Sequence, residues 1–281
     1  MEPKKVTHVL YHADCTDGFG AAWAAWKTLG DRATYLPVAH GSPPPDLPRE
    51  ARALLVDFSY PREELLALRE RVADLLVLDH HMSAQRELED LDFARFDMEH
   101  SGAALSWDFF HPAEPLPELL AYVEDWDLWR HRLPESREVH DALACIPFDF
   151  SAWEGLDIGL LRAEGRVLLR YQEMLICKVS DRAGVGQVGG HRIPVVNCPN
   201  SLRSEVGHEL LKRHPHAPFV GMWSIDAEGW QGWSLRSRGD FDVSALAASL
   251  GGGGHVAASG FRLPPGEWIL APLGEVPDFS D

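Results

Sequence analysis

Three short apolar runs punctuate the first eighty residues, and each stops at an acid. Residues 6–11 run into His12-Ala13-Asp14-Cys15-Thr16-Asp17-Gly18, residues 53–56 into Asp57, and residues 75–78 into Asp79-His80-His81. Near-continuous apolar runs of this length predict strands buried on both faces, as in a parallel sheet covered by helices. Helical character follows two of them, over the Ala- and Trp-rich residues 19–29 and over residues 62–76. Strand, polar turn and helix in repetition predict an α/β domain. In such sheets ligands bind outside the carboxyl ends of the strands, so the three acidic ends fall on one rim. Gly18 is expected to let the chain turn sharply from the first strand into its helix.

Further along, Pro43-Pro44-Pro45 marks a loop, and Ser101-Gly102-Ala103-Ala104 opens a helix of small, close-packing residues. Residues 119–129 hold a fourth acidic cluster, with Asp125 and Asp127 set among Trp126 and Trp129. Residues 136–185 read mostly helical; the best helix, 164–179, carries Val167, Leu168, Tyr171, Leu175 and Ile176 at helical spacing. The pattern breaks at residues 181–186 and then resumes on its own terms. Strands are predicted to end at Asn197 and to run over 219–225 and 232–237, with helices over 204–213 and 241–250. The second of these helices leads into Gly251-Gly252-Gly253-Gly254-His255. The fold class predicted is α/β and two-lobed, with boundaries at residues 1–135, 136–187 (a helical connector) and 188–281.

Composition adds constraints without changing that picture. The 281 residues are 45% hydrophobic and 25% charged, with a formal net charge of −17. Residues 186–281 carry only −3 of it. Duplex binding depends on neutralising many phosphates with Lys and Arg, so no long duplex DNA partner is expected; a short phosphate ligand held by metals and a few Arg side chains remains compatible. Cys15, Cys145, Cys177 and Cys198 lie far apart with no Cys-x-x-Cys pair, and read as reduced thiols, two or more of them in the core. No apolar stretch approaches membrane-spanning length and no signal-like segment opens the chain, so no membrane partner is expected and the localisation expected is cytoplasmic.

The strand-end residues His12, Asp14, Asp17, Asp57 and His80, together with Asp125, form a mixed nitrogen and oxygen donor set. Such a set suits Mn²⁺, Mg²⁺ or Co²⁺ better than structural Zn²⁺, which favours thiolates. It holds more donors than one ion needs. Two ions sharing a carboxylate, with Asp57 as the bridge, would generate a hydroxide at neutral pH and clamp both oxygens of an in-line displacement. That chemistry is phosphoester hydrolysis. The glycine run exposes backbone amides to a phosphate or nucleotide, although it matches neither a Walker A loop nor a dinucleotide fingerprint.

The quoted motifs, together with Glu124-Asp125-Trp126-Asp127-Leu128-Trp129, resemble the DHH phosphoesterases that carry a C-terminal DHHA1 domain; they occur in that family's order and span almost the whole chain. The resemblance implies a DHH lobe of parallel strands and a smaller DHHA1 α/β lobe, with the active site in the cleft between them. It implies two Mn²⁺ ions, one held by His12, an Asp of the first motif and Asp57, the other by Asp57, His80 and Asp125. It also implies that His81 touches the substrate phosphate, that Asp79 orients the imidazoles, and that Arg236, Ser237 and Gly252, Gly253, Gly254 and His255 form a pocket for the substrate terminus. Arg203 would be a further phosphate partner. Two departures stand: Asp14 and Asp17 are three apart where relatives have Asp-x-Asp, and Asp125 competes with Asp127 for the last ligand position.

The short, acidic chain is most similar to the branch described as nanoRNases or oligoribonucleases. The function expected is therefore cleavage of short oligonucleotides to mononucleotides. The alternatives are a cyclic-dinucleotide phosphodiesterase, a 3′-phosphoadenosine phosphate phosphatase, and a non-catalytic nucleotide sensor.

Overall fold

The computed structural model describes residues 1–267. The chain divides after Leu169 into two compact units. The first is built on five parallel strands, β1 (His8–His12), β2 (Thr34–Val38), β3 (Arg52–Val56), β4 (Asp74–Asp79) and β5 (Ala94–Phe96), in the order β2-β1-β3-β4-β5. Side chains alternate across the sheet as the pleat requires. Val9, Tyr11, Leu54, Val56, Leu76 and Leu78 enter one core; Leu10, Ala53, Leu55, Leu75 and Val77 enter the other. This is why the strands read as unbroken apolar runs.

Helix α1 (Thr16–Leu29) leaves β1 and packs on the first face with α4 (Gly102–Phe110) and α5 (Glu118–Asp127). Helices α2 (Arg62–Arg71) and α3 (Met82–Leu88) give Leu65, Leu68 and Leu88 to the opposite face. In the order 2-1-3-4-5 the connections diverge between β1 and β3, the switch point at which such sheets open a crevice. His12 ends β1 and Asp57 follows β3, one on each side of it.

Residues 136–169, expected in a connector, belong to this first unit. Helix α6 (Ser136–Leu143) buries Val139, Ala142 and Leu143 in its core, and α7 (Phe150–Glu154) buries Trp153. Helix α8 (Ile158–Ser180) begins in the same core through Ile158 and Leu161.

The second unit is a six-stranded mixed sheet of β6 (Gly184–Val188), β7 (His191–Asn197), β8 (Val220–Ile225), β9 (Gln231–Arg236), β10 (Gly253–His255) and β11 (Ala258–Leu263), ordered β10-β11-β9-β8-β7-β6. Among the described strands of this sheet only β7 and β8 pair in parallel. Helix α9 (Arg203–Arg213) covers one face with Val206, Leu210 and Leu211; α10 (Val243–Ser249) covers the other with Val243 and Ala247. The expected glycine loop is half strand, since Gly253–His255 pair with Ala258–Gly260. Of the cysteines only Cys198 is buried, not two or more, and all four are free. Among the described residues no helix is long and apolar enough to cross a membrane.

Candidate metal centre

Asp57 sits one residue beyond β3, at a backbone φ of 61°, with its amide donating to the carbonyl of Leu78 at 3.1 Å. A non-glycine residue in this region costs of order 1 kcal/mol and persists only where its surroundings over-determine it. Here the conformation aims a buried carboxylate at two imidazoles. Oδ1 lies 3.1 Å from His80 Nε2 and Oδ2 lies 3.4 Å from His12 Nδ1. His80 Nε2 is also 3.6 Å from Asp17 Oδ2 and 3.5 Å from Asp127 Oδ2. Strand ends β1, β3 and β4 and helices α1 and α5 thus supply one cluster.

Its donor atoms fall into three overlapping groups, each compact enough to surround an ion: His12, Cys15 and Asp57; Asp57, His80 and His81; Asp17, His80 and Asp127. Asp57 is shared by two of them. The fit to divalent cations rests on the charge. Three carboxylates converge with little solvent, and Asp57 Oδ2 is buried without a hydrogen-bond partner among the described residues. Burial first, then the charges of Asp57 and Asp127, raise the Asp17 pKa well above its ordinary value. Burial also raises that of Asp127, helped by Asp57. For Asp57 burial opposes ionisation, but the facing imidazoles of His12 and His80 win and hold its pKa below the ordinary carboxylate range. Burial likewise opposes the His80 imidazolium; the bond to Asp57 and the charges of Asp17 and Asp57 outweigh it and raise the pKa to about 9. The metal-free cluster therefore balances its acids with protons, which cations would displace.

The surroundings hold these donors still. Asp17, in the first turn of α1, accepts from the amides of Gly102 (2.6 Å) and Ala103 (3.0 Å) at the N-terminus of α4, where the helix dipole favours an anion. Gly102 permits that approach, since a Cβ there would lie 2.4 Å from Asp57 Cβ and 2.8 Å from Asp17 Oδ2. Gly18 lies inside α1 with ordinary helical neighbours; it is needed because a Cβ would strike the His12 carbonyl at 2.3 Å. The turn expected of Gly18 is made instead by Asp14, whose φ is 53°. Asp79 is buried and accepts from the His80 amide (2.8 Å) and His81 Nδ1 (2.7 Å), as an orienting residue would. That bond raises the His81 pKa, and the His81 ring is half exposed.

Two expected ligands are placed elsewhere. Asp14 lines a cavity beside His12 but joins none of the three groups; the neighbouring Cys15 thiol does. Burial, then Asp57, pushes that thiol up to about 12 in the absence of cations. Asp125 is buried but turned away, accepting from the amides of Arg132 (2.8 Å) and Leu133 (3.3 Å). It fixes the loop after α5, where Trp129 and His131 take positive φ. Two residues on a helix are about 200° apart, so with Asp125 on that side it is Asp127 that faces His80. Glu124 of the same motif receives Arg130 Nη1 (2.7 Å) and the Ser101 amide (3.1 Å).

In the second unit, Arg203 and Gly252 line a cavity of about 820 Å³ with Asn200, Trp230 and Arg262. Arg203 is bound by Ser224 Oγ, the Gly232 carbonyl and Ser234 Oγ, while its buried Nε has no partner among the described residues. Arg236 donates to the Leu235 carbonyl, and the buried Ser237 hydroxyl to that of Phe241. Gly252 packs against the Gly260 carbonyl, 2.1 Å from where a Cβ would stand; Gly253, Gly254 and His255 form exposed β10.

No protein-family model matches the chain. It is 33% identical, over 91% of its length, to the uncharacterized protein R106 of Acanthamoeba polyphaga mimivirus. Oligoribonuclease NrnB of Bacillus subtilis shares 27% identity over 54% of the chain. The chain spans 67% and 41% of these two proteins' lengths. Its fold is shared by the pGpG-specific phosphodiesterase PggH of Vibrio cholerae, with a TM-score of 0.53, 15% identity, and coverage of 92% of this chain and 94% of that one. The chain belongs to one family with R106. The Asp79-His80-His81 motif, by which it resembles the DHH phosphoesterases, stands at the end of β4.

Two outcomes follow for the DHH cluster. His80, with its folded pKa raised to about 9, stabilises the chelated protein fully below the unfolded value near 6.5, and that contribution disappears as pH rises through 9. With chelator, the melting temperature should fall between pH 6.5 and 9, and saturating Mn²⁺ should remove or reverse the fall; a flat chelated profile would contradict the charge balance described. Separately, Asp127→Asn should weaken Mn²⁺ binding at least tenfold in calorimetry with little loss of stability. Asp125→Asn should lower the melting temperature by several degrees while metal affinity changes less. The opposite ranking would restore Asp125 as the ligand.

Proposed function

We propose that this chain is a divalent-metal-dependent phosphodiesterase that cleaves short oligonucleotides. The observation that carries the reading is the sharing of Asp57 between donor groups at three parallel strand ends. His12, Cys15 and Asp57 would hold one ion; Asp17, Asp57, His80 and Asp127 would hold the other. Bound ions supply a hydroxide at neutral pH and neutralise charge on the attacking and leaving oxygens.

The protein's own part is positioning. Asp79, by accepting from His81 Nδ1, keeps a proton on that nitrogen and turns Nε2 outward, where a protonated ring donates to a phosphate oxygen. Asp57 and Asp17 accept the imidazole and amide donors that lock the cluster before substrate arrives, so little reorganisation remains for the reaction. The Cys15 thiol makes the first donor set softer than an all-nitrogen-and-oxygen one, which widens the acceptable ions from Mn²⁺ toward Co²⁺ and Zn²⁺.

The substrate class follows from the similarity to NrnB, whose name describes an oligoribonuclease, and from charge. At −17 overall the chain is poorly suited to gripping a long polyanion. Two cavities of about 360 and 370 Å³ flank the cluster in the first unit, within the range of small-ligand sites. On a 5′-labelled RNA dinucleotide and a 24-mer, we expect Mn²⁺-dependent cleavage of the dinucleotide, little of the 24-mer, none with chelator, and a loss of at least 10³-fold in His80→Ala. Preference for the 24-mer would overturn the short-substrate reading; cleavage of neither would overturn the phosphodiesterase.

A further inference from the structure

The 360 Å³ cavity beside the metal centre has a lining of two chemical kinds. His12, Asp17 and Asp127 of the cluster contribute to it, and so do Trp126, His140 and Leu143. The His140 and Trp126 rings are stacked, 4.0 Å between centroids and 14° from parallel. Trp126 also stacks with Trp129 at 6.0 Å and 26°. Trp129 is 77% exposed and held at a φ of 52°. Burial lowers the His140 pKa to about 4, so the ring is neutral at pH 7 and stacks without carrying charge into the acidic cavity. His12 also lines the second cavity, with Phe58, Tyr60 and His81. A phosphodiester seated at the cluster thus has room for a substituent on each side.

We infer that the cavity walled by the Trp126–His140 stack receives one nucleobase of the substrate, on one defined side of the scissile phosphate. The inference rests on the phosphodiesterase reading for its ligand, and on the aromatic wall for the kind of group it takes. Base stacking on aromatic side chains is tolerant of sequence, because every base has a π-face. The pocket therefore adds affinity without choosing among bases, and confines recognition to the nucleotides next to the bond.

The test uses the full chain with Mn²⁺ and non-cleavable methylphosphonate dinucleotides carrying 2-aminopurine at either the 5′ or the 3′ position. Stacking quenches this fluorophore. In the wild type one position should be quenched and the other not. His140→Ala should weaken binding about tenfold and relieve that quenching, while His140→Phe, which keeps a ring, should restore both. Quenching at neither position, or equal binding by all three proteins, would overturn the pocket. The wild-type contrast decides the matter even where His140→Ala fails to fold. An ordinary dinucleotide cleaved in the same preparation separates the two claims. Cleavage without selective quenching sinks the pocket and leaves the phosphodiesterase; selective quenching without cleavage does the reverse.

Discussion

Crowding Asp17, Asp57 and Asp127 around His12 and His80, with most of this cluster out of solvent, is a costly electrostatic arrangement. Like charges at such separations cannot all ionise unless cations or protons compensate them. The metal-free protein uses protons, held on His80 and shared among the acids. The rest of the first unit is arranged to keep this cluster in place. The parallel sheet brings the ends of β1, β3 and β4 to one rim, the switch point separates His12 from Asp57, and α4 directs its first amides at Asp17.

The support has little slack. Gly102 lets α4 approach so closely that any side chain would displace both Asp57 and Asp17. Asp57 itself is held in a left-handed conformation. The acids of α5 divide the work: Glu124 ties the helix to the start of α4, Asp125 closes the following loop, and Asp127 reaches the cluster. An acidic motif that reads as one ligand-bearing unit is three separate devices.

Much of this was legible in the sequence because buried parallel strands announce themselves as apolar runs, and because an acid at the end of each run is a pattern that packing does not require. Asp57, Asp79, His80 and His12 were found that way. What the sequence concealed was orientation. Asp14 and Cys15 are adjacent, and only the left-handed turn at Asp14 decides that the thiol joins His12 and Asp57. The choice between Asp125 and Asp127 hangs on the loop amides of Arg132 and Leu133, which no local pattern displays. Edge strands were also missed: β2 contains Pro37 and β10 is Gly-Gly-His, so neither has a strand's usual composition. Gly252 and Gly254 looked built for a phosphate; their missing side chains make room for the backbone of β11.

The central claim is that one carboxylate serves two ions, and Asp57→Asn tests it with almost no change of shape. Calorimetric titration of Mn²⁺ into the wild type should show two bound ions, with an electron paramagnetic resonance spectrum of a spin-coupled pair. In Asp57→Asn both binding events should weaken together and the coupled spectrum should vanish. If one ion still bound with wild-type affinity, Asp57 would be a ligand of a single site and the shared centre would be wrong.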